Sequence, residues 1–211
     1  IVTPYGARVV KTLEALAGLP LEIVAPSHGV IWRSHLGEIL KAYRNWSVCK
    51  PKAKVVVMYD SMWGSTGLMA QAIYEGAALP GVEAKVIGLR QSNLTRLATE
   101  MLDCAAIAFG SATLNQDMMP MAAAAVNYIG GLRFTGRDAF AFGSYGWGKG
   151  GAEKLDEALK AMKWDVMREP IKSKFRPDAA CLAECREAGR ALAERAQARA
   201  AAAGYERLLT D

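Results

Sequence analysis

The hydrophobic positions of the chain change rhythm near residue 54. Upstream, Val9, Val10, Leu13, Leu16 and Ala17 recur at helical spacing and predict a helix over residues 6–17. Gly18 and Pro20 end it. Residues 21–25, LEIVA, read as a short strand, and 26–33, PSHGVIWR, as a loop. Ser34 is placed to cap a helix over 35–47, with Ile39, Leu40, Tyr43 and Trp46 on one face. The segment SVCKPKA then breaks the pattern and reads as a linker.

Downstream, strand, loop and helix alternate. Strands are predicted over 54–59, 83–88, 104–110 and 138–143, with a less regular one over 165–171. Helices are predicted over 66–78, 93–101, 120–130, 150–162 and 178–201. Pro120 suits a first helical position, and Asp178 after Pro177 suits an N-cap. The first, third and fourth strands are nearly continuous apolar runs, as expected when both faces of a sheet are covered. The pattern therefore specifies an α/β fold: an open five-stranded parallel sheet with helices on both faces. Ligands of such sheets bind at the carboxyl ends of the strands.

Three of those ends carry unusual loops. The first, SMWGST at 61–66, has the hydroxyls of Ser61, Ser65 and Thr66 and a glycine, Gly64, at a helix start. It has no lysine before the Ser-Thr pair, so it is no Walker A loop, and it has no GxGxxG. Backbone amides and the positive end of the helix dipole favour an anion there, and hydroxyls without a cation suit a phosphate monoester. The second loop is GSATLNQDMMP, 110–120; the third is GSYGWGKGG, 143–151. The glycines of the third let backbone amides approach a flat ligand, and Tyr145 and Trp147 can flank it. The ligand that matches a phosphate end and a planar ring is FMN.

These motifs closely resemble the flavodoxin half of flavodiiron proteins (A-type flavoproteins), and PSHGVIWR resembles the last metal-ligand segment of their diiron half. The resemblance covers essentially the whole chain. It implies residues 1–52 as the end of a metallo-β-lactamase-like diiron domain with a linker, and 53–211 as a flavodoxin-like FMN domain. It implies FMN contacts from Ser61, Met62, Trp63, Gly64, Ser65 and Thr66, then Ser111, Ala112, Thr113, Leu114 and Asn115, then Ser144, Tyr145, Gly146, Trp147 and Gly148. Family members often carry Pro where Ala112 stands. His28 matches the final iron-ligating histidine, but the chain holds 2 His in all, so a diiron centre needs residues from elsewhere. His35 matches no ligand. The resemblance further implies electrons from rubredoxin or a similar donor, reduction of dioxygen to water or of nitric oxide to nitrous oxide, and a head-to-tail homodimer. A stand-alone FMN-dependent NAD(P)H:quinone reductase, a flavodoxin-type carrier and a flavin-free interaction module are the competing readings.

Composition narrows the classes. No apolar run reaches the length of a membrane span, and no signal peptide is visible. The formal charge is +5, but the arginines of the C-terminal segment alternate with glutamates and lack interleaved aromatics. That reads as a solvated helix face and not a nucleic-acid surface. The 4 Cys form no CxxC, and Cys181 and Cys185 share a helix face with Ala188 and Leu192, as packed thiols in a reducing cytoplasm would. The first residue is Ile1, so a processed or truncated chain is expected. Met118, Met119 and Met121 read as core with some exposure at Met118, and Trp32, Trp46 and Trp164 as core. Lys149 and Asp117 leave the flavin loops without strong acidity, which suits a moderate flavin potential.

Overall fold

The computed structural model describes residues 3–205 and Leu208. Residues 1–2, 206–207 and 209–211, which fall in the two predicted segments, lie outside the described residues. In chain order the elements are α1 (Gly6–Leu16), α2 (Leu36–Ser47), β1 (Lys54–Asp60), α3 (Ser65–Ala77), β2 (Glu83–Gly88), α4 (Leu94–Leu102), β3 (Ala106–Ser111), β4 (Thr113–Leu114), β5 (Asp117–Met118), α5 (Pro120–Leu132), β6 (Asp138–Tyr145), α6 (Gly151–Ala161), β7 (Asp165–Val166), β8 (Ile171–Lys174) and α7 (Ala179–Ala203).

The parallel sheet runs β2-β1-β3-β6-β7, with β8 also on β6. The alternation of side chains along β1 explains the two layers of core. Val56 and Met58 face Leu97, Met101, Ile129 and Leu155, whereas Val55 and Val57 face Met69, Ile73, Cys185 and Leu192. Each face is thus closed by helices, and a truncation such as Leu192→Ala would cost about 2–5 kcal/mol. Helices α3 and α7 approach to backbone contact through glycines. A Cβ on Gly76 would lie 1.9 Å from the Arg186 carbonyl oxygen, and one on Gly189 2.1 Å from that of Ile73.

Several local expectations are corrected. Residues 21–25 form no strand; only Val24 pairs, in an isolated antiparallel bridge to Trp32, because no neighbouring strand offers them a ladder. Ser34 does not cap α2. The N-cap is His35, in the left-handed region at φ 55, with no side-chain cap, so Ser34 lies one residue outside. The predicted strand 165–171 is two short ones, interrupted ahead of Pro170, which has no amide to give a ladder. Both pair with β6, one near each end. Trp164 is core, donating Nε1–H to the Phe134 carbonyl at 2.9 Å, but Trp32 and Trp46 are half-buried. Asp178 does cap α7, accepting the Cys181 amide at 2.8 Å. The arginines of α7 are not all solvated: Arg195 and Arg199 donate through Nε to buried Asp138 at 2.7 and 2.5 Å, fastening the helix to the start of β6.

At the opposite edge from the loops, the linker is tied down by charge. Buried Arg137 donates to the carbonyls of Cys49 and Leu102. Lys54, 5% exposed, meets Glu100 and Asp103 at 2.8 and 2.9 Å. Burial alone would lower its pKa, but these carboxylates outweigh burial and hold it above its ordinary value.

Candidate functional site

The carboxyl ends of β1, β3 and β6 converge on one cavity of about 830 Å³. Its walls include Met62, Trp63 and Ser65 from the first loop, Ala112, Thr113, Leu114 and Asn115 from the second, and Ser144, Tyr145, Gly146, Trp147 and Gly148 from the third. Ser61 and Gly64 line a smaller adjoining pocket with Tyr59, Arg90 and Gln91. Thr66 and Ser111 do not line the cavity; both are fully buried beneath it. His28 lies apart on an exposed loop, and among the described residues no group of three His, Cys, Asp or Glu could hold a metal.

Buried polar contacts tie the three loops to one another. The hydroxyls of Thr66 and Ser144 are hydrogen bonded at 2.8 Å, joining the first loop to the third. Thr113 Oγ1 accepts the Gly151 amide at 3.1 Å, joining the second to the third. The backbone carbonyl of Asp60 accepts the Ala112 amide at 3.1 Å, joining the first to the second. The Asp60 carboxylate, itself buried, accepts Arg90 Nε at 2.7 Å and the Met121 amide at 3.1 Å. Ser111 Oγ is spent locally, donating to the Ala112 carbonyl and accepting the Met119 amide. Thr66 and Ser111 are therefore braces of the loops in this geometry.

The start of α3 differs from those of its neighbours. Asn93 caps α4, Glu153 accepts the Gly150 amide at the start of α6, and Asp178 caps α7. The Asp60 carboxylate reaches the start of α5. Helix α3 begins on Gly64 at φ 88, whose amide donates to the neutral Ser61 hydroxyl at 3.1 Å; its N-cap residue makes no side-chain cap and no acidic residue stands in its first turn. Its positive end is thus left for an anion from outside. Around the rest of the cavity, Trp147 is 100% and Trp63 90% exposed. Indoles held so far out bury nothing in the core, and their rings stand available to a planar partner.

Three lining residues escaped the sequence reading: Gln116, Phe175 and Arg176. The second loop is a small hairpin, β4 against β5, turning on Asn115 and Gln116 at φ 52 and 61. The Asn at a positive-φ turn was the available signal, but two-residue strands leave no periodicity to read. Phe175 packs edge-on against Trp147 at 6.3 Å and 87°. Arg176 places a cation in the wall, so the cavity is not the cation-free site that the first loop alone suggests. Of the methionines, Met119 is buried, Met118 half-buried and Met121 exposed.

Comparison with known proteins agrees with this geometry. The flavodoxin family model matches residues 57–189. A nitric oxide reductase of Moorella thermoacetica is 38% identical over 198 residues, which are 92% of this chain and 50% of that protein. The crystal structure of the flavodiiron protein from Giardia intestinalis superposes with a TM-score of 0.91 at 34% identity, covering 96% of this chain and 51% of that one. The rubredoxin oxygen:oxidoreductase of Desulfovibrio gigas gives 0.88 at 32%, covering 94% and 51%. The chain spans about half the length of the relatives it matches. Among the described residues no helix is long and apolar enough to cross a membrane. With the family model matched across β1 to α7 and three loops meeting at its ligand-binding edge, the chain belongs to the flavodoxin family, which implies FMN as cofactor, and its homologues are flavodiiron proteins.

Proposed function

We propose that residues 53–211 form an FMN-binding electron-transfer module, and that residues 1–52 end a metallo-β-lactamase-like domain of a flavodiiron oxidoreductase. The observation that carries this is the convergence of three mutually braced loops on one cavity with an uncapped helix start at its wall. The donor set fits the cofactor. Ser61, Ser65 and the amides opening α3 would hold the phosphate, while the glycines at 146 and 148 admit a flat ring. Trp63, Tyr145 and Trp147 would cover that ring and keep water from it. Met62, Ala112, Thr113, Leu114, Asn115 and Ser144 would line the remaining wall. When bound, the flavin supplies acceptance and release of electrons in one- or two-electron steps. The chain's own groups bind and orient it, and none of them need exchange protons with a substrate.

The rest of the reading concerns the whole protein. We assign the donor as rubredoxin or a similar carrier, and the terminal reaction as reduction of dioxygen to water or of nitric oxide to nitrous oxide at a diiron site. His28 would be one ligand of that site; this chain does not by itself supply the others. A head-to-tail homodimer in the cytoplasm would bring each flavin against a partner's irons. The test has two stages. Titrating the 211-residue chain with FMN should quench flavin fluorescence with a saturable stoichiometry near one, leaving a yellow protein after dialysis. A colourless protein and unquenched flavin would overturn the module reading. Iron content and rubredoxin-dependent consumption of dioxygen or nitric oxide by the full-length protein then test the oxidoreductase. Nicotinamide-driven quinone reduction by the chain alone would favour the stand-alone reductase instead.

A further inference from the structure

The turn from β8 into α7 forms a fourth wall of the cavity, built from Phe175 and Arg176. Its backbone is unusual. Phe175 sits at φ 61, uncommon for an aromatic residue, with its amide donating to the Tyr145 carbonyl at 2.7 Å. The Phe175 ring stands 3.2 Å from the place a Cβ on Gly146 would take, and edge-on to Trp147. Phe175 is thereby wedged against the third loop, and the next residue, Arg176, lines the cavity.

The packing of the helices indicates which part of the cavity Arg176 serves. Arg186 Nε reaches Glu75 at 2.9 Å, and further on Gln197 Nε2 reaches the Pro80 carbonyl at 2.9 Å. Pro80 follows the end of α3, so these contacts tie α7 to α3 and to the turn after it. Strands β1 and β8, which lead into α3 and α7, run parallel in one sheet, so both helices begin at its carboxyl edge. Arg176 stands two residues before the N-cap Asp178, and Ser65 opens α3; both line the cavity. Asp178 spends its carboxylate on the Cys181 amide, so α7 already has its anion while α3 has none. Among the described residues Arg176 enters no ion pair.

Resting on the FMN reading above, we propose that Arg176 binds the phosphate of the cofactor together with the start of α3, and so selects the phosphorylated flavin over riboflavin. A guanidinium offers a planar fork of donors that matches phosphate oxygens, and its charge complements the dipole of the uncapped helix. The wedged Phe175 is what aims it.

The test measures dissociation constants for FMN and for riboflavin with the wild-type chain, Arg176→Gln and Arg176→Lys. Arg176→Gln should lose about 10- to 100-fold in FMN affinity, the value of a hydrogen bond to a charged group. Its riboflavin affinity should stay within about twofold of wild type, as should the unfolding midpoint of this exposed position. Arg176→Lys should fall between, and added salt should narrow the gap between wild type and Arg176→Gln. Wild-type FMN affinity in Arg176→Gln, or equal losses for both flavins, would overturn the assignment. Failure of the wild type to bind FMN would instead sink the cofactor reading beneath it.

Discussion

The hydroxyls of Thr66 and Ser144 meet at 2.8 Å in the interior, beneath the cavity. They belong to the first turn of α3 and the end of β6, so a single buried bond holds the first and third loops in register before any ligand arrives. Thr66→Val keeps the shape and deletes the bond. It should lower unfolding stability by about 1–2 kcal/mol, since the Ser144 hydroxyl is left buried and unpartnered. FMN affinity should fall as well, because loops no longer held in place must be ordered on binding. Urea denaturation and fluorescence titration of the same variant measure the two effects.

Trp147 is fully exposed and touches Phe175 edge-on. Trp147→Ala should therefore leave the unfolding midpoint of the ligand-free chain within about 0.5 kcal/mol of wild type. Its FMN affinity should drop about 3- to 10-fold, the worth of an aromatic contact to a planar ring, with weaker quenching of flavin fluorescence. A large stability loss without a binding loss would place the indole in the core and not against the ligand.

Gly150 has φ 149, and a Cβ there would lie 1.9 Å from the Gln116 carbonyl oxygen. The third loop thus passes against the backbone of the β4–β5 turn. Gly150→Ala must push that hairpin outward and also hold a disfavoured backbone angle, at a cost of about 1–3 kcal/mol for the angle alone. Weakened FMN binding with lower stability is expected. Gly131→Ala meets no atom within 4 Å and, lying inside α5, should be neutral or slightly stabilising.

Asp138 predicts a pH dependence. Burial alone would raise its pKa, but hydrogen bonds and charge from Arg199 and Arg195 hold it below its ordinary 3.8. A carboxylate depressed in the folded state contributes stability above its unfolded pKa and loses it as pH falls through the folded value. The difference in stability between wild type and Asp138→Asn should be full at neutral pH. It should shrink from about pH 5 downward. Urea midpoints taken across that range check the sign; a difference that grew in acid would contradict it.

Much of the architecture was legible because it depends on short-range patterning. The apolar runs of β1, β3 and β6, the proline opening α5 and the Asp178 cap are local statements that packing had no reason to override. The failures were of a different kind. LEIVA has the composition of a strand but no strand beside it. His35 takes the left-handed cap that Ser34 was expected to pre-empt. Pro170 splits the last strand, and Gln116 sits at a positive φ that its residue type does not advertise.

The chain's alternation of apolar strands and helices, with loops of hydroxyls, glycines and aromatics after three of them, determined by itself an open parallel sheet and the edge where a ligand would sit. Those are consequences of side-chain period and backbone freedom, both carried by neighbouring residues. Only the tertiary structure decided which hydroxyls face the cavity and which brace it, since Thr66 finds its partner on β6 and Ser111 turns inward to the Ala112 carbonyl and the Met119 amide of its own loop. It also decided that a cation joins the wall. Arg176 is an unremarkable residue between Phe175 and Pro177 until the parallel sheet brings it and Ser65, the first residue of α3, to the wall of one cavity, across more than a hundred residues of intervening chain.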